Sequence, residues 1–419
     1  MGAVAVACSA KDSTSECANG GASGATATEG GAGSGGKAQT GGATATGTSG
    51  GSDSTSNGGA SGASGETGAG GDGGGGSTDI AFVPSNVPVP QAAGLGDVTL
   101  TGADCVIDTD DGTIDCLRTS PSPFVYQAVE QDEGGRLGVF AARSFNIEQS
   151  AQVRVMGSLP LVLVALTQID VLGGLDATAK NTMANGGGFT QTASGKGGGP
   201  GGGTLLLNYD AAGGGAFCGK GGDGGVAAVT DPASRGGTPF GTPELVPLFG
   251  GASGGGGVNE VIGGAGGGAI ELVAGTSIRV GITGVINVGG GGGRANGGAA
   301  GSGGAILLEA PQVTVNGTLS ANGGGGAIYN GGNPGQSGQP GITAALGSTA
   351  TAGIGSADAT IAGGNGTNTG IPNSSGGGGG GAGRIRINTS TGAATLGANA
   401  VVSPSLTTAC ATQGVLGAQ

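Results

Sequence analysis

The sequence predicts an all-β protein: a right-handed parallel β-helix with long glycine-rich loops, preceded by a disordered tether. Three observations lead there. Glycine makes up 108 of 419 residues, against roughly 7% in an ordinary globular domain, while aromatics are 3% and charged residues 10%. No window after Thr78 carries the helical apolar period over enough turns to offset the roughly 1 kcal/mol that glycine costs at each helix-interior position. Short apolar segments also recur and align, the nearest copies about 36 residues apart, within the range of stacked repeats. Collagen is excluded, because the glycines run together, as at Gly254 to Gly257, instead of holding every third place.

The chain opens Met1-Gly2-Ala3-Val4-Ala5-Val6-Ala7-Cys8-Ser9. This resembles the tail of a bacterial lipoprotein signal peptide, with Ala5-Val6-Ala7-Cys8 in the lipobox place; it lacks a basic n-region, and Ala5 stands where Leu is usual. The resemblance implies a truncated signal segment over 1–8 and lipidation of Cys8. Residues 9–79 are nearly all Gly, Ser, Thr and Ala and read as a disordered tether, since they cannot bury enough apolar surface to offset their ordering entropy. Residues 80–136 read as N-terminal capping strands and a hairpin, and 137–419 as the glycine-rich solenoid.

In the capping region, Cys105 and Cys116 flank a segment that reads as a hairpin, with Gly112 at the left-handed position of its turn. They are the expected disulfide, which presupposes an oxidising compartment. Cys17 reads as unpaired, while a Cys218–Cys410 pairing is left open.

Three copies define the solenoid. Ala305-Ile306-Leu307-Leu308-Glu309-Ala310 runs through Val313-Thr314-Val315 to Leu319-Ser320-Ala321. Leu161 to Ala177 aligns with it without a gap, and Ala269 to Val288 aligns with small insertions. Arg384 to Asn388 repeats the opening strand, and Thr204 to Asn208 is a shorter echo. Each copy holds three alternating runs broken by Pro or Gly, as one coil of a β-helix requires. Ile306, Leu308, Ala310, Val313, Val315, Leu319 and Ala321 are expected inside, Thr318 outside, and Val162, Ile270, Ile306 and Ile385 in one interior ladder. The glycine spans between coils, such as Gly323 to Gly341 and Gly363 to Gly383, fit either disorder or extended polyglycine strands stacked on one another.

The Gly-Gly-Ala-Ile-x-Leu opening, at Gly267 and again at Gly303, resembles that of glycine-rich β-helical surface lipoproteins and adhesin-type passenger proteins of bacteria. That resemblance implies a non-enzymatic structural or adhesive lipoprotein at the cell surface or outer membrane, or else secreted. Its expected partners are the outer membrane, through the lipid, and extracellular glycans or other surface proteins. Nucleic acid is excluded by a net charge of −13 and a pI near 4.2. With no His or Trp in the chain, the commonest general base and sugar platform are missing, and no cofactor, metal site or catalytic residue is expected. Gly214 to Lys220 imitates a phosphate-binding loop, but Gly221 stands where Ser or Thr must hold Mg²⁺. Asp108-Thr109-Asp110-Asp111-Gly112 lacks the alternate carboxylate spacing of a calcium loop.

The rival reading is a polysaccharide lyase or glycoside hydrolase, which needs carboxylates gathered from adjacent coils. Two outward columns are expected, Asp170 with Arg279 and Thr314, and Asp176 with Asn287 and Ser320. Each holds a single acid.

Overall fold

A computed structural model describes residues 80–88, 94–117, 121–206, 211–226, 232–257, 261–330, 333–369 and 374–418. The expectations for Cys8, Cys17 and the tether fall outside them. No helix occurs among the described residues.

Alternating apolar residues give short strands wherever glycine gives way. The chain enters through Asp97–Leu100 (β1), Cys105–Asp108 (β2), Thr113–Ile114 (β3) and Val125–Glu130 (β4). Two strand triplets follow: Arg136–Ala142 (β5), Ser144–Ile147 (β6) and Gln152–Met156 (β7), then Leu161–Ala165 (β8), Gln168–Val171 (β9) and Gly174–Asp176 (β10). After a glycine-rich span come Ala269–Ala274 (β11), Ser277–Val280 (β12) and Val285–Asn287 (β13), and after another, Ala305–Glu309 (β14), Gln312–Val315 (β15) and Thr318–Ser320 (β16). The last triplet is Arg384–Thr389 (β17), Thr395–Leu396 (β18) and Val401–Ser403 (β19), closed by Ala411–Val415 (β20).

First strands of the triplets make one sheet (β20-β17-β14-β11-β8-β5-β4), middle strands a second (β1-β6-β9-β12-β15-β18), and last strands a third (β19-β16-β13-β10-β7-β2-β3). All pairings are parallel except β2 with β3 and β4 with β5, at the N-terminal end. The chain therefore visits the three sheets in rotation, and each sheet is built between coils.

The three inner faces share one core. Ile306, Leu308, Ala310, Val313, Val315, Leu319 and Ala321 all lie in it, and Thr318 is half-buried on the other face of its strand. One interior ladder corrects the alignment: Leu161, not Val162, stacks with Ile270, Ile306 and Ile385. The gapless alignment fails at a corner, because two residues, Leu166 and Thr167, follow Ala165, whereas Pro311 alone follows the equivalent Ala310. The offset is right for the second and third strands and one residue out for the first, and a one-residue slip moves a side chain to the opposite face. Val162 packs with Val164, Val273 and Leu307 on the outer face of the first sheet.

That outer face is not open to solvent. Ile80, Phe82 and Val87 lie over it as a strap, joined by Phe217, Leu245 and Leu248. The strap also bridges to the chain's far end, Val83 N–H donating to Gly417 O at 3.3 Å.

The glycine-rich spans 177–268, 288–304 and 321–383 all leave the third sheet and return to the first, so they emerge from one corner of the coil and lie side by side. Where described, they are ordered. Along 377–383 the donors turn through three neighbours in strict rotation. Gly377, Gly380 and Gly383 donate to Ala327, Gly324 and Ala321; Gly378 and Gly381 donate to Ala212 and Gly215; Gly379 and Ala382 donate to Gly364 and Ile361. The distances are 2.8–2.9 Å. A β-strand has two hydrogen-bonding edges, whereas three directions repeating every third residue is the geometry of a polyproline II helix, with three residues per turn. The segment 299–303 repeats the pattern, Ala299 and Ser302 donating to Gly255 and Ala252, Ala300 and Gly303 to Gly378 and Gly381. Of the two alternatives left open by the sequence, stacked polyglycine fits the described residues of these spans. A Cβ added at Gly380 would meet the Gly301 carbonyl oxygen well inside the 3.0 Å that real Cβ atoms keep.

Thr204 to Leu206 form no strand, contrary to the expected echo. Their backbone belongs to the bundle, with Thr204 O accepting from Gly213 N at 2.9 Å, and Leu206 is half exposed. Leu207 and Asn208 fall outside the described residues.

Candidate functional site

The two outward columns form as aligned, and they differ in character. Asp170 lies beside Arg279, and Arg279 beside Thr314. Arg279 Nε donates to Asp170 Oδ1 at 2.8 Å, with half of the arginine side chain in solvent, so this is a surface ion pair. In the other column Asp176, Asn287 and Ser320 align and extend to Ser403. They do not face solvent as expected, because Asn287, Ser320 and Ser403 are buried beneath the glycine bundle. Asn287 Nδ2 donates to Thr178 Oγ1 (2.7 Å), Gly341 N–H to Ser320 Oγ (2.7 Å) and Asp358 N–H to Ser403 Oγ (2.7 Å). This column joins the glycine segments to the third sheet.

A pair of acids lies outside both columns. Glu271 on β11 and Glu309 on β14 both project from the outer face of the first sheet, and both are fully buried. Glu271 lies opposite Leu307, and Glu309 opposite Val273, so the two carboxyls are diagonal neighbours, within reach for long side chains. Comparing residues at equal register cannot reveal them; the signal was two acids one repeat plus two residues apart.

The strap closes over this pair. Ser85 donates to Glu309 through its N–H (2.9 Å) and its hydroxyl (2.7 Å), and Asn388 Nδ2 adds a third donor at 2.9 Å. Asn86 Nδ2 donates to Glu271 Oε2 at 3.1 Å and to Leu245 O at 3.0 Å. Burial, and after it the charge of Glu309, pushes the Glu271 carboxyl well above the usual carboxylate range; Asn86 opposes the shift. Glu271 Oε1 faces no donor. A proton on Glu271 turns that orphan acceptor into a donor toward Glu309, which explains how two acids share one dry site.

Cys105 and Cys116 are joined, across the antiparallel hairpin of β2 and β3, with Gly112 at φ 68° in its turn. Asp115 approaches these sulfurs, but bridged cysteines offer no thiolate to a metal. Cys218 and Cys410 are also joined, over 192 residues of chain, tying the bundle to the residue before β20. Beside Cys218, the Arg384 guanidinium lies 5.6 Å from the Phe217 ring centroid and donates to Phe240 O.

Comparison with protein families, characterised proteins and solved structures found no match.

Proposed function

We propose that the chain is a right-handed parallel β-helix carrying a polyglycine bundle, and that it serves as a non-enzymatic structural or adhesive lipoprotein at the cell surface. In this reading Cys8 carries lipid in the outer membrane, and residues 9–79 hold the folded body away from it. The observation that carries the reading is the sealed carboxyl pair. Glycosidic chemistry needs two carboxyls open to a sugar and to water, and the carboxyls that adjacent coils bring together at Glu271 and Glu309, among the described residues, are fully buried beneath the strap. The two disulfides support an oxidising, exported setting.

The protein expressed with its native leader should partition into the detergent phase, and mass spectrometry should find an acylated Cys8 at its N-terminus. Recovery in the aqueous phase with Met1 intact would overturn the anchor. The folded protein should bind matrix polysaccharide without cleaving it. Product release from pectin, alginate or glucan that is lost in Asp170→Asn would favour the enzyme instead.

A further inference from the structure

We infer that two adjoining clefts at the rim of the glycine bundle bind an acidic oligosaccharide of the uronate type. This rests on the glycan-binding side of the proposed function and names the ligand class and its place.

The clefts, of about 740 and 470 Å³, share Lys180 and Met183 in their walls. Both volumes suit a small ligand. Arg294 lines the larger and Arg154 the smaller. In a chain of net charge −13, basic groups are expected to find acids, and five of the eleven among the described residues do so. Arg136, Arg143, Lys220, Arg235 and Arg279 are in ion pairs, while Arg384 and Arg386 donate to carbonyl and side-chain oxygens. Arg154, Lys180 and Arg294 are exposed and, among the described residues, have neither an ion pair nor a side-chain hydrogen bond. Lys196, which lines neither cleft, shares that condition. One acid, Asp176, lines the smaller cleft, and it already accepts from Thr178 N–H at 2.9 Å.

The backbone that presents these cations is fixed. Lys180 and Met183 exchange backbone hydrogen bonds at 3.0 Å around Asn181, whose φ is 52°, and Asn181 O accepts from Ala265 N at 2.8 Å. Arg294 sits at a second tight turn, where Gly298 N donates to Arg294 O at 3.1 Å and Asn296 has φ 69°. Like charges held on a rigid rim without partners favour an anion.

Other lining groups narrow its class. Asn181, Thr182 and Asn296 offer amides and a hydroxyl for sugar hydroxyls, and Met183 (61% exposed) and Ile262 (41%) offer apolar surface for the C–H face of a pyranose ring. Nucleic acid fits poorly, because no aromatic platform lines either cleft.

The test is calorimetric titration of the full chain with a short oligogalacturonate and with a neutral maltooligosaccharide of equal length. The acidic oligomer should bind, more weakly as salt rises, and the neutral one should not. Lys180→Ala with Arg294→Ala should weaken binding tenfold or more at an unchanged melting temperature, whereas Lys196→Ala should leave it unchanged. Equal binding of both oligomers, no binding of the acidic one, or an equal loss in Lys196→Ala would overturn the assignment. Retention of the unmodified chain on a polysaccharide matrix, measured alongside, separates the two readings. Retention without oligomer binding sinks the clefts alone, and loss of both sinks the adhesive function as well.

Discussion

Ile306 is buried because its side chain meets Ile270 and Ile385 in adjacent coils; Gly380 is buried because it has none, and three other backbones close in around its segment. The β side excludes water with apolar side chains, at about 25 cal/mol per Å² buried. The glycine side has almost no apolar surface to bury. Its cohesion comes from backbone hydrogen bonds, each about 1 kcal/mol net, and from close contact along polyproline II segments. Each glycine also loses more conformational freedom on ordering than any other residue. The contrast suggests that the β coils fix where the glycine spans begin and end, and that the spans order because all leave and re-enter at one corner.

The largest effect that separates the two sides should come from a charge placed in the β core. Ile306→Asp or Leu308→Asp leaves an unpartnered carboxylate and a cavity in the interior ladder, costing at least about 5 kcal/mol and abolishing the cooperative melt. Thr318→Asp, on the other face, should cost within about 1 kcal/mol. Equal loss in both, by calorimetry, would mean that the strand faces are misassigned.

Next comes the link between the sides. Cys218–Cys410 closes a loop of 192 residues spanning most of the bundle. Chain entropy sets its contribution at up to about 5 kcal/mol. The double Cys→Ser variant should lower the melting temperature, and hydrogen exchange should rise along 212–225 and 376–383 before it rises in β11 and β14. Uniform loss of protection would show instead that the two sides unfold as one unit.

Crowding inside the bundle gives a third comparison. Gly380→Ala forces a Cβ against the Gly301 carbonyl and should cost about 3 kcal/mol, because backbone must move. Gly341 has φ 89° with nothing within 4 Å of an added Cβ, so Gly341→Ala should cost only the conformational term, about 1–2 kcal/mol. If Gly380→Ala is no worse than Gly341→Ala, the bundle is looser than its hydrogen bonds indicate.

A pH titration addresses the outer face that both sides share. The folded value of Glu271 lies above its unfolded value. Its contribution to stability is therefore complete below the unfolded value, near 4.5, and is lost as pH rises through the folded one. Unfolding free energy should fall with rising pH over that window, and Glu271→Gln should flatten the fall. A variant whose pH profile matches the unmodified chain would show that Glu271 is not the titrating group.

Much of the β side was legible in the sequence because its signal is local. Alternating apolar runs broken by Pro311 or Gly317 mark strands and corners, and Cys105, Gly112 and Cys116 mark a hairpin. The one-residue shift at Pro311 was not legible, since a corner can lose a residue while the apolar pattern on either side survives. Glycine carries no pattern at all: nothing in Gly376 to Gly383 says which neighbours will accept its N–H groups, because those partners are fixed by the coil corner the spans share. The same limit hid the Glu271–Glu309 pair, which depends on a diagonal between strands, and the turns that present Lys180 and Arg294.

The smallest expected effect lies at Asp170 and Arg279, where the alignment did place an acid beside a base. With half of the Arg279 side chain in solvent, the attraction is screened and offset by the entropy of holding a long side chain in one place. Arg279→Ala should therefore cost about 0.5 kcal/mol, and a double-mutant cycle with Asp170→Ala should assign most of that to the pair at low salt and little at high salt. A coupling several times larger that persists in salt would mean that this column, unlike an ordinary surface pair, is held in a preorganised, water-poor setting. That outcome would restore Asp170 and Arg279 as candidates for chemistry on the outer face of the second sheet. A weak, salt-sensitive coupling leaves them as exposed residues on a face whose strands are held by the core behind them.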